Sequence, residues 1–155
     1  MKNFSQHKDA RVRAAFEVAR KVHGGQVDKA GVEYINHPLT VASSVGENIS
    51  AIIVALLHDV VEDGDKTFDD LREEIPLTDE ELHALKLLTH DEKIPYLEYV
   101  AQLRTNELAA KVKAADLKHN SDLSRLKNPA GKDFARVKKY RRALEILRGK
   151  DFDND

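Results

Sequence analysis

Three short segments hold side chains whose types and spacing suit chemistry. They are Tyr34-Ile-Asn-His37-Pro38, Leu56-Leu-His58-Asp59-Val-Val-Glu62-Asp63 and Lys113-Ala-Ala-Asp116-Leu-Lys-His-Asn120. Together they offer two imidazoles, His37 and His58, and two carboxylates, Asp59 and Asp116. Such a mixed nitrogen and oxygen set suits Mn²⁺, Fe²⁺ or Zn²⁺ better than Ca²⁺ or Mg²⁺, which favour oxygen. It also leaves coordination positions open for water and substrate, as metal-assisted hydrolysis requires. Glu62 follows His58 by four residues and Asp59 by three, so all three side chains can converge on one end of a helix. That grouping suits a metal ion with a water beside it. Taken singly, each residue could equally cap or end a helix; as a set from three helices they are harder to explain that way.

The elements that must position these groups read as helices. Asp9 is a candidate N-cap for a first helix running to His23, stopped by Gly24-Gly25, with Val12, Ala15, Phe16, Ala19 and Val22 on its buried face. Residues 26–36 form a loop, and His37-Pro38 opens a second helix through Val45, the proline sitting where its missing N–H is not needed. The third, Ser50 to Val61 with Ser50 as its cap, is apolar on nearly every face and belongs in a core. Glu62 to Lys66 reads as a tight acidic turn. Thr67-Phe-Asp-Asp70 starts a short helix, and Thr78-Asp-Glu-Glu81 is a capping-box pattern for another reaching about Thr89. Tyr96–Leu103, Glu107–Leu126 and Lys132–Leu147 complete the set, the last with a stripe of Phe134, Val137, Tyr140 or Arg141, Leu144 and Leu147. The expected fold class is all-α, a single-domain helical bundle over residues 1–155.

Composition narrows the class further. Trp is absent, aromatics are scarce and Pro and Gly are few, a profile that favours helices over sheets. A formal charge of −2 gives no general attraction to nucleic-acid polymers or anionic membranes. The absence of cysteine excludes disulfides, thiolate metal sites and a cysteine nucleophile, and fits a reducing cytoplasm. The apolar run 49–57 is far short of the roughly 18 residues that a membrane span needs. Oligomeric state is not legible.

The order His37…His58-Asp59…Asp116 resembles the H…HD…D signature of the HD-domain metal-dependent phosphohydrolases. The phrases Tyr34-Ile-Asn-His-Pro38, Leu56-Leu-His-Asp-Val-Val-Glu-Asp63 and Ala115-Asp-Leu-Lys-His-Asn120 resemble the hydrolase half of the bifunctional RelA/SpoT enzymes and the small stand-alone alarmone hydrolases, over about residues 9 to 126. The resemblance implies an all-α HD fold with one divalent metal, usually Mn²⁺, held by His37, His58, Asp59 and Asp116. It implies that Glu62 and Asp63 orient or deprotonate the attacking water, and that Asn120 lies beside the bound nucleotide. The implied reaction is hydrolysis of the 3′-pyrophosphate of (p)ppGpp by a metal-activated water; an HD nucleotidase acting on another phosphoester is the alternative. A non-catalytic nucleotide-binding regulator is the third reading.

One departure bears on the substrate. Where those hydrolases carry a basic pair, this chain has Val27-Asp28-Lys29, leaving Lys29 as the candidate phosphate contact. Among the remaining residues, His23 reads as a charge at a helix end, and His7, His83, His90 and His119 as surface residues. The cluster Arg136, Lys138, Lys139, Arg141 and Arg142 reads as a solvated face, with an anionic-substrate funnel as its rival.

Overall fold

The structure is a computed structural model and describes residues 2–149. Among the described residues it has nine α-helices and two 3-10 turns, the latter over Phe4–Gln6 and Leu123–Arg125. The helices are α1 Ala10–His23, α2 Asn36–Ser43, α3 Ile49–Leu57, α4 Val60–Asp63, α5 Phe68–Glu74, α6 Asp79–Leu88, α7 Tyr96–Leu103, α8 Glu107–Asn120 and α9 Gly131–Leu147. The all-α expectation holds.

The apolar sequence of α3 decides where it goes. Each side chain from Ala51 to Leu57 is at most 1% exposed, and burying a single Leu, Ile or Val side chain stabilises by about 1.5–3 kcal/mol. A helix without a polar face must be covered on every side, and α1, α2, α6 and α8 pack around it. It ends one residue before the functional pair. The His58 imidazole Nδ1 donates to Ala55 O at 2.5 Å, competing for the carbonyl that the amide of Asp59 would use in a continuing helix. The expected helix to Val61 is therefore two pieces, and the second, the short α4, runs on through Glu62 and Asp63 of the expected acidic turn. Gly64 ends α4 against α1, where an added Cβ would lie 2.5 Å from Val22 Cγ1.

Caps set several boundaries. Asp9 accepts from Arg11 N, and Thr67 and Thr78 form the two capping boxes. Ser50 is not the cap of α3: Asn48 is, accepting from Ala51 N at 3.0 Å, while the Ser50 hydroxyl donates to Glu81 Oε2 at 2.6 Å. The expected helix from Glu107 to Leu126 stops at Asn120, after which Asp122 caps the 3-10 turn. On α9, Phe134 is 54% exposed, and the buried face runs instead through Val137, Ala143, Leu144 and Ile146. The loop 26–35 is ordered by the Asp28 carboxylate, which accepts from Ala30 N at 2.8 Å and Val32 N at 3.0 Å. Gly31 supplies the positive φ (79°) that this turn needs.

Glu81 ties three helices together. It is fully buried, accepts from Arg11 Nη1 at 2.7 Å and from Ser50, and closes its own capping box with Thr78 N at 2.9 Å. Burial opposes its ionisation, yet the bonds from Arg11, Ser50 and the Thr78 amide outweigh that and hold its pKa below the ordinary value. A depressed carboxylate contributes stability above its unfolded pKa of about 4.3 and loses it as the pH falls. Glu81→Gln is therefore expected to unfold at lower urea than the parent at pH 7, with the gap closing as the pH is lowered through about 4. An equal gap at neutral and acid pH would show that the ionised form is not what α1, α3 and α6 depend on.

Candidate active site

The end of α3, the start of α2 and the last turns of α8 meet at one point. His37, in the first turn of α2, is 5% exposed, and His58 and Asp116 are buried with it. One ligand atom from each of His37, His58 and Asp59 lies within 4.8 Å of the other two, a group that could hold a metal ion. Asp116 reaches this group through the imidazoles: its Oδ1 is 2.8 Å from His37 Nε2 and 3.5 Å from His58 Nε2. Asp59 Oδ2 is 3.1 Å from His58 Nε2 and 3.6 Å from His37 Nε2. The four residues singled out as metal ligands are thus brought together by three separate parts of the chain.

The donor set fits a divalent cation on a second count. His58 Nδ1 is committed to the Ala55 carbonyl, while its buried Nε2 faces Asp59 Oδ2 and Asp116 Oδ1 as ion-pair contacts and makes no aligned hydrogen bond among the described residues. A ring fixed by one nitrogen with the other turned toward carboxylate oxygens has the form of a metal-ligating histidine. The electrostatics agree. Burial disfavours charge on His58, Asp59 and Asp116, but Asp59 and Asp116 hold the His58 pKa well above its usual value, and His58 with His37 draws Asp59 down. Asp116 is lowered likewise, against its burial, chiefly by Lys113. The carboxylates call for positive charge at this point, and a divalent ion would supply it in place of protons.

Each member of the cluster has a dedicated holder. The Tyr34 hydroxyl donates to Asp59 Oδ2 at 2.6 Å. Lys113, largely buried, donates to Asp116 Oδ2 at 2.9 Å, while Asn120 Nδ2 donates to the other oxygen, Oδ1, at 3.0 Å. The Lys113 ammonium also lies over the rings of Tyr96 and Tyr99, at 5.5 and 5.4 Å from their centroids. His119 meets His37 across an Nδ1–Nδ1 distance of 2.7 Å. It is half-buried rather than a surface residue, and burial, with His37 next, lowers its pKa to about 4. Lys113 stands one turn before Asp116 on the same helix face, a signal legible in the sequence; Tyr34 and His119 come to their partners only through folding.

The acidic pair lies beside the cluster. Burial raises the pKa of Glu62, which accepts from His90 N at 2.6 Å; burial and then Asp59 raise that of Asp63. Both line an opening of about 500 Å³ with Thr89, His90 and Glu92. His90, expected at the surface, stacks on Tyr99 at 4.4 Å between centroids. His23, expected as a helix-end charge, is 1% exposed. The Gln26 amide nitrogen donates to Val22 O and Asp63 O, so its oxygen accepts from His23 Nδ1 at 2.8 Å. His23 Nε2 is buried and has no hydrogen-bond partner among the described residues.

A cavity of about 420 Å³ adjoins the cluster, and Tyr34 and Asn120, which both bond its carboxylates, lie in the cavity wall. Lys29 lines it as well, so the two residues singled out for substrate share one space. Arg125, Arg136 and Tyr140 line it too, together with the acidic Asp28 and Asp122. Asp28, which stands where a basic residue was expected, pairs with Arg125 at 3.1 Å and neutralises part of that charge. Arg136 brings one member of the basic cluster of α9 to the cavity, as the funnel reading requires, while it pairs with Asp133 at 2.9 Å.

The fold is that of a known hydrolytic protein. A solved structure of a metazoan ortholog of SpoT, described as hydrolysing ppGpp and playing a role in starvation responses, covers 96% of this chain and 91% of its own, with a TM-score of 0.76 at 20% identity. Among the relatives in sequence is a guanosine-3′,5′-bis(diphosphate) 3′-pyrophosphohydrolase of Aquifex aeolicus, 40% identical over 76 residues, which are 47% of this chain and 11% of that protein. A probable GTP pyrophosphokinase of Mycobacterium leprae is 30% identical over 148 residues, 88% of this chain and 18% of that one. The chain thus spans under a fifth of the length of these two relatives. No protein-family model matches it.

Removing Lys113 tests how the cluster carries its charge. Lys113→Met leaves Asp116 buried with one oxygen unpaired, and a loss of about 3–5 kcal/mol is expected in urea unfolding without added metal, with a smaller loss for Lys113→Arg. A Lys113→Met loss under about 1 kcal/mol would show that the imidazoles and Asn120 meet the charge of Asp116 without the lysine.

Proposed function

We propose that the chain is a metal-dependent phosphohydrolase that removes the 3′-pyrophosphate of (p)ppGpp, acting as one domain in the cytoplasm. His37, His58, Asp59 and Asp116 are its ligands to one divalent ion, Mn²⁺ before Fe²⁺ or Zn²⁺. The observation that carries this reading is the continuity of cluster and cavity. Tyr34 and Asn120 each touch a cluster carboxylate and also line the space into which a nucleotide would fit. The named activities of the Aquifex relative and of the metazoan structural neighbour support the same chemistry.

Bound in the cluster, the ion would lower the pKa of a water and polarise a phosphoryl oxygen. The rest falls to the protein. Tyr34, Lys113 and the Ala55 carbonyl keep Asp59, Asp116 and His58 oriented, so little reorganisation accompanies the reaction. Glu62, its affinity for a proton raised by burial, takes the proton of the attacking water, with Asp63 steering it. Asn120 lies beside the nucleoside, and Lys29 and Arg136 face its phosphates. Among the described residues no helix is long and apolar enough to cross a membrane.

Purified protein with Mn²⁺ is expected to release pyrophosphate from ppGpp. Orthophosphate released from nucleoside monophosphates, with ppGpp untouched, would favour an HD-type nucleotidase instead; tight nucleotide binding without turnover under any divalent ion would favour a regulator. Asp59→Ala is expected to lose both metal and turnover. Glu62→Gln is expected to keep the metal and lose about 10²–10⁴-fold in kcat. Full activity in Asp59→Ala would end the site assignment.

A further inference from the structure

We infer that His119 is a positioning residue that presents His37 to the metal ion, by accepting a hydrogen bond from His37 Nδ1. The inference rests on the metal reading of the cluster. The two rings are nearly parallel, at 16° with centroids 5.0 Å apart, and their Nδ1 atoms are 2.7 Å apart. At that distance one proton lies between them, because two would collide and none would set lone pair against lone pair.

Which ring owns that proton follows from the other side of His37. Its Nε2 points into the cluster, 2.8 Å from Asp116 Oδ1 and 3.6 Å from Asp59 Oδ2. A neutral imidazole that ligates through Nε2 must carry its hydrogen on Nδ1. His37 Nδ1 then donates, His119 Nδ1 accepts, and His119 carries its own hydrogen on Nε2. No other hydrogen-bond partner for His37 Nδ1 is present among the described residues. Both contacts come from α8: Asp116 and His119, one turn apart, hold the two nitrogens of the same ring from one helix face. Proline at the next position and the helix start at Asn36 fix the backbone of His37, but its ring rotation and tautomer depend on a partner, and His119 is that partner.

Three proteins test this: the parent, His119→Leu, which cannot accept, and His119→Gln, whose amide oxygen can. His119 is half-buried, so neither change empties the core, and thermal unfolding checks that each folds. Affinity for Mn²⁺ is read from the electron paramagnetic resonance of the free ion. The protonation of each His37 ring nitrogen is read from long-range proton–nitrogen correlation spectra of the Zn²⁺-loaded protein. The expected result is a 10–100-fold weaker Mn²⁺ affinity in His119→Leu, with most of it regained in His119→Gln. The hydrogen of His37 should lie on Nδ1 in the Zn²⁺-loaded parent, with its downfield, hydrogen-bonded proton shift lost in His119→Leu. A folded His119→Leu that binds Mn²⁺ as tightly as the parent, or a His119→Gln that binds no better than His119→Leu, overturns the inference. A parent protein that takes up neither ion overturns the metal reading and the inference with it, and that failure is distinct because it shows in the unsubstituted chain.

Discussion

Two imidazoles and two carboxylates share a space from which water is nearly excluded, and that constraint governs the site. Charged groups so placed are costly unless compensated. Compensation is visible on every side: protonatable rings draw the carboxylates down, the carboxylates draw His58 up, and Lys113 reaches in to take an oxygen of Asp116. A divalent cation would meet the same demand more fully than protons do, because His37, His58 and Asp59 could each give it a ligand atom.

The demand is met because the surrounding helices are held rigidly. The wholly apolar α3 is locked by packing on every face, so His58 and Asp59 at its end have a fixed origin. The other wall is α8, whose last turns carry Lys113, Asp116, His119 and Asn120, four polar residues directed at one point. On the remaining side, Gln26 ties the loop after α1 to the backbone of Asp63 and orients His23, and Tyr34 ties the same loop to Asp59. Glu81 links α1, α3 and α6.

The cavity beside the cluster has a mixed charge. Lys29, Arg125 and Arg136 line it, but Asp28 pairs with Arg125 and Asp133 with Arg136. Asp28 also organises its own loop through two backbone amides. The residue that departs from the basic pair expected here therefore has a structural task. An anionic substrate would have to compete with these internal pairs or share them, which would make cavity charge a lever on specificity separate from the His/Asp cluster.

Local rules made much of this protein legible in its sequence. Capping patterns at Asp9, Thr67 and Thr78 placed three helix starts, and the continuous apolar run identified the buried helix. The order of His37, His58-Asp59 and Asp116 pointed to one site, and the structure brings those residues together. Tertiary structure decided what depends on contacts across the fold. Helix α3 breaks at His58 because its side chain claims the Ala55 carbonyl, and Ser50 leaves the cap position because Glu81 offers a better partner. His23 and His119 turn inward because Gln26 and His37 receive them. A periodicity argument sees only neighbours three or four residues apart. The partner of His119 is 82 residues away in the chain, and folding alone brings them into contact.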